Sequence, residues 1–127
     1  MSTATAPVDA PTWLSEFYSK VDQLDTEGVL AAFAADASMR YGSAEAAVGH
    51  DAIRGGLTYL FTLYAGIRHE FRAVWDTGST LMVEAEVTYR TQDGREVAVP
   101  ALTVIEHRDG GVIDDMRIFI DPTPVAG

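Results

Sequence analysis

Three short breaks, Thr77-Gly78-Ser79, Gln92-Asp93-Gly94 and Asp109-Gly110-Gly111, divide the second half of the chain into four runs. The runs Ile67–Asp76, Thr80–Arg90, Glu96–His107 and Val112–Asp121 are rich in Val, Ile, Thr and aromatic residues, and polar side chains alternate with them. Alternation is the period of a half-buried strand, and Asp-Gly between two such runs is a strong hairpin signal. The second half therefore predicts an antiparallel meander of long strands.

The first half has a different period. Trp13, Leu14, Phe17, Tyr18, Val21 and Leu24 recur at three- and four-residue steps, which predicts a helix with Thr12 as its N-cap. A second helix is expected from Thr26 to Ala35, a short strand over Ala37–Tyr41 and a loop over Gly42–Gly49. A third helix opens at His50 or Asp51 and carries Ile53, Leu57, Leu60, Phe61 and Tyr64. Helices followed by a sheet define an α+β domain. A chain of 127 residues is sized for one such domain, expected over residues 12–127 behind a loose arm of residues 1–11.

Composition narrows the function. Nine Lys and Arg against nineteen Asp and Glu leave a formal charge of −10, which repels nucleic acids and anionic membranes. Neither is expected as a partner. Cysteine is absent, which removes disulfides and thiolate chemistry and fits a reducing compartment. The N-terminus lacks the basic and apolar regions of a signal peptide, so the expected location is cytoplasmic. Metal-ligand spacings such as His-x-His and Glu-x-x-His are absent, as are glycine-rich phosphate loops. Neither metal nor cofactor is expected.

The order of elements, together with Phe33-Ala34-Ala35-Asp36-Ala37, Gly49-His50-Asp51-Ala52-Ile53 and Arg117-Ile118-Phe119-Ile120-Asp121, resembles the cone-shaped NTF2-like (cystatin-like) superfamily. Nuclear transport factor 2, ketosteroid isomerase and the SnoaL-like cyclases belong to it. The resemblance spans about residues 12 to 124. It implies three N-terminal helices packed on a curved, mostly antiparallel sheet around one apolar pocket, and a homodimer through the open sheet face. The superfamily includes isomerases, dehydratases, cyclases, epoxide hydrolases and binding modules, so fold alone does not decide function.

Strand parity places His69 with Ile67, Phe71 and Trp75 on the apolar face, where an imidazole can move protons without metal. By resemblance to scytalone dehydratase and its relatives, Asp25 is the carboxylate expected to orient His69; the alternative is that Asp25 caps the second helix. Tyr18 lies where the steroid isomerases carry an oxyanion-hole tyrosine, whereas Tyr41 and Thr103 stand where they carry catalytic and oxyanion-hole aspartates. That chemistry is disfavoured. The Asp-Arg-Asp set of the epoxide hydrolases is also missing.

The expected site therefore comprises His69 as base, Asp25 as its orienter and Tyr18 and Tyr41 as donors to an oxyanion. Trp75, Thr103, Met116 and Ile118 are expected to shape the pocket for an apolar small molecule. Glu84 and Glu86 are read as surface or interface residues. Asp114 shares the parity of Met116 and Ile118 but lies beside a turn. The leading expectation is a cofactor-independent dehydratase, isomerase or cyclase for a cyclic or polyketide-like compound; the alternative is a non-catalytic binding or assembly module.

Overall fold

The computed structural model describes residues 9–126, so most of the expected arm, residues 1–11, lies outside the described residues. Helix α1 (Thr12–Asp22) buries Leu14, Phe17 and Tyr18. Its cap is Pro11, not Thr12: the extended proline accepts from the Leu14 and Ser15 amides at 3.0 and 3.3 Å, and Thr12 is the first helical residue. The fixed φ of proline suits that position.

The other end of α1 determines which carboxylate can reach the sheet. Gln23 closes the helix and Leu24 turns left-handed, with φ +57°. The Leu24 amide then donates to Val21 and the Asp25 amide to Lys20, at 2.9 and 3.0 Å. These two bonds make a Schellman motif, which satisfies carbonyls that the helix leaves open. The αL conformation costs a non-glycine residue roughly 1–2 kcal/mol, and Leu24 packs against the core from it.

Helix α2 (Thr26–Leu30) is a little over one turn, much shorter than Thr26–Ala35, and strand β1 (Phe33–Tyr41) takes the remainder. Helix propensity in the Ala-rich stretch is overridden by pairing: the Ile113 amide donates to the Ala32 carbonyl at 2.8 Å, and Phe33 aligns with Ile113. A two-residue strand, β2 (Ala47–Val48), lies inside the expected loop and pairs with β1. Gly49, at φ +88°, then caps α3 (His50–Leu63).

The meander is present as β3 (Tyr64–Asp76), β4 (Thr80–Thr91), β5 (Glu96–Arg108) and β6 (Val112–Ile120). Its strands run slightly longer than their alternating runs at several ends, and a short α4 (Thr123–Ala126) comes after β6. The six strands form one curved, unclosed sheet in the order β2-β1-β6-β5-β4-β3, antiparallel except where β1 meets β6. Leu81, Val83, Ala85, Val87 and Tyr89 of β4 all point inward and are buried, and Val99, Ala101, Thr103 and Ile105 do the same from β5. Together with α1 and α3 they enclose the core. No described helix is long and apolar enough to cross a membrane.

Among the register irregularities of the sheet, one in β3 and one in β6 transpose strand faces near residues of interest. On β3, Phe71 pairs with Ala85 and Ala73 with Glu84, so Arg72 is an extra residue. Beyond it Val74 takes the inner register against Val83, and Trp75 takes the outer one against Met82. On β6, Asp115 pairs with Glu106 and Ile113 with His107, which leaves Asp114 unpaired in the ladder. An inserted residue of this kind flips the period-two alternation beyond it.

Candidate active site

An apolar cavity lies between the helices and the inner face of the sheet. It offers about 60 Å³ in which a water-sized sphere can be centred, where one water needs roughly 10–15 Å³. Phe17, Tyr18, Met39, Leu57, Phe61 and Ile67 supply much of its wall, and no Lys or Arg is among its lining residues. Polar groups reach it from a few places only: His69, Tyr18, Thr103, Tyr41 and Tyr89.

His69 Nδ1 lies 2.6 Å from Asp22 Oδ1, and the His69 backbone amide donates to Asp22 Oδ2 at 3.1 Å. Both oxygens of one carboxylate are thus spent on one residue. An ionised carboxylate can only accept, so Nδ1 carries a hydrogen, and in the neutral imidazole Nε2 then holds the lone pair. Nε2 has no partner among the described residues, and the ring lines the cavity. Asp22 itself does not line the cavity. It stands behind the ring in a polar groove with Arg68 and Arg90.

The carboxylate that meets His69 is therefore Asp22, not Asp25. Asp25 caps α2, accepting from the Gly28 amide at 3.0 Å. A side chain on Gly28 would collide with that carboxylate, its Cβ falling 2.2 Å from Oδ2. The reason for the exchange is the Schellman turn: α1 ends at Asp22, so the helical spacing that carries Tyr18 to the site does not extend to residue 25. Tyr18 and Asp22 are separated by four residues on one helix, and that i,i+4 relation is the signal that points to Asp22. Asp22 also sits in the last turn, where the helix dipole disfavours a carboxylate and a donor pair offsets the cost.

Tyr18 packs its ring 4.7 Å from that of His69. Burial pushes its phenol up to about 12, and the Thr103 hydroxyl at its oxygen partly opposes this. Tyr41 and Tyr89 share a hydrogen bond, O–O 2.8 Å. Burial raises both phenols; the shared bond draws Tyr41 back down and pushes Tyr89 further up. Tyr64 packs against Tyr89, the rings tilted by 44° with their centroids 4.5 Å apart. Sequence reasoning passes over Tyr89, although its alternation with Val83, Ala85 and Val87 marks it as inward-facing.

Thr103, Met116 and Ile118 line the cavity, and Trp75 does not. The Arg72 bulge turns Trp75 to the outside of the sheet, where it is 47% exposed beside Met82, Pro100, Leu102 and Phe119. The parity of Asp114 is likewise undone by its bulge, and it pairs with Arg108 on the surface at 2.6 Å. Glu86 binds Arg72 at 3.0 Å and Glu84 lies in the outer groove. His50 holds the Phe33 carbonyl, fastening α3 to β1. Among the described residues, no group of three or more His, Asp or Glu side chains could hold a metal ion.

The SnoaL-like domain model matches residues 14–114, and the chain belongs to that family. Three solved structures illustrate the fold. TerC co-crystallised with polyporic acid is 21% identical, with 89% of this chain and 92% of that one covered and a TM-score of 0.74. SalBIII, an epoxide hydrolase/cyclase-like enzyme in pyran ring formation in the polyether salinomycin, is 20% identical over 87% and 88% of the two chains, TM-score 0.74. A Catenulispora acidiphila DSM 44928 protein with a ketosteroid isomerase-like fold, in complex with trimethylamine, is 16% identical over 87% and 86%, TM-score 0.79. No curated protein matches the chain.

Proposed function

We propose that the protein is a cofactor-independent acid–base enzyme, a dehydratase, isomerase or cyclase, for a neutral cyclic or polyketide-like carbonyl compound. The observation that carries this reading is the Asp22–His69 pair, which fixes the tautomer with Nδ1 protonated on the wall of an apolar cavity. His69 Nε2 takes a proton from carbon adjacent to the carbonyl. The C–H electron pair moves into an enolate whose oxygen accepts from Tyr41, with Tyr18 beside the base. The imidazolium, held by Asp22, then returns the proton to another atom or to a departing hydroxyl. A cavity wall without Lys or Arg suits a ligand that enters neutral, the imidazolium formed in the reaction being the counter-charge to the enolate.

The test is proton–deuterium exchange into 2-tetralone, a neutral bicyclic ketone, monitored by NMR in heavy water. The wild type accelerates exchange, and His69→Gln lowers the acceleration about 100-fold or more. Binding of the ketone without accelerated exchange overturns the enzyme reading in favour of a binding module.

The same reading includes a homodimer. The outer groove exposes Trp75 and Phe119 together with Met82, Leu102 and Pro100, an apolar patch of the kind that partners cover.

A further inference from the structure

The Tyr41–Tyr89 bond has a direction that the hydrogen count constrains. Two phenols own two hydroxyl hydrogens, and their mutual bond uses one. The other is left for a ligand, and which ring offers it depends on which ring donates inward. Tyr89 is 3% exposed and clamped against Tyr64, whereas Tyr41 is more open. We infer that Tyr89 is a positioning residue: it donates to the Tyr41 oxygen, and so leaves Tyr41 to present a single hydroxyl hydrogen to one carbonyl oxygen of the ligand.

This rests on the enzyme reading and deepens it. A ligand carbonyl needs a donor that strengthens as the oxygen gains charge. A phenol that already accepts a hydrogen bond donates more strongly, because the two bonds polarise each other. The ligand class narrows accordingly. A ketone, quinone or lactone oxygen accepts from Tyr41. An ammonium finds no Asp or Glu among the groups lining the cavity, and a carboxylate finds no Lys or Arg.

Two measurements test it on the full chain. Ultraviolet resonance Raman difference spectra, wild type minus Tyr89→Phe and wild type minus Tyr41→Phe, read the tyrosine Fermi doublet, which separates donating from accepting phenols without any ligand. The expected result is a donor signature for Tyr89 and an acceptor signature for Tyr41; the reverse assignment overturns the proposal. In the 2-tetralone assay, Tyr89→Phe lowers kcat about tenfold with KM little changed, and Tyr41→Phe lowers it at least as far. Wild-type exchange that Tyr89→Phe leaves untouched overturns this proposal alone. Absence of exchange in the wild type overturns the enzyme reading and this proposal with it.

Discussion

Asp22 and Asp25 stand on either side of a helix end, so their removal has separable effects. Asp25→Ala strips the cap from α2 and costs about 1 kcal/mol in urea unfolding, while exchange into the probe ketone is unchanged. Asp22→Asn keeps a side chain of the same shape, but its amide can accept through one oxygen only. The expected outcome is a small change in stability with at least a tenfold loss of exchange. Long-range proton–nitrogen NMR of the His69 ring provides an independent check: the wild type carries its hydrogen on Nδ1, and the variant populates both tautomers. Equal loss of exchange in both variants would refute the assignment of Asp22.

Strand β3 shows what single-residue insertions do to a pattern. Because Arg72 is the supernumerary residue, its deletion makes β3 regular from Gly66 to Asp76 with every other residue on its present face. That variant folds and keeps Trp75 outside, as its fluorescence and near-ultraviolet dichroism will show. Deletion of Glu70, two residues earlier, drives either His69 or Phe71 off the inner face, and thermal unfolding reports a much larger loss. The same arithmetic explains how far the sequence alone reaches. His69, Thr103, Met116 and Ile118 lie in regular stretches, and alternation places them on the cavity. Trp75 and Asp114 lie at or beyond bulges, and no periodic rule announces a bulge. Asp25 is misplaced for a related reason: pairing it with His69 continues α1 through a Schellman turn centred on a leucine, where glycine is the usual marker. The meander is legible because each break carries a glycine, two of the three as Asp-Gly, and α1 and α3 are legible because their helical period is sustained.

Over the whole molecule, the phenols make stability sensitive to alkali. Tyr18, Tyr41, Tyr64 and Tyr89 are all raised above the ordinary phenol value, chiefly by burial. A raised value in the folded state means that stability is complete below about pH 10 and falls as pH rises from there towards the folded value. The expected outcome is a urea midpoint that declines between about pH 10 and 12, with phenolate absorbance of the buried rings appearing only as the chain unfolds. At the level of assembly, Trp75→Glu places a charge in the outer apolar groove, and the proposed homodimer predicts that sedimentation finds wild-type dimers and variant monomers. β3 is also the outermost strand of the sheet, and Asp22 occupies its His69 amide from the side. An open strand margin of alternating apolar residues is a template for cross-β growth. Asp22 therefore denies that amide to any incoming strand, and it does so whether or not a ligand is present.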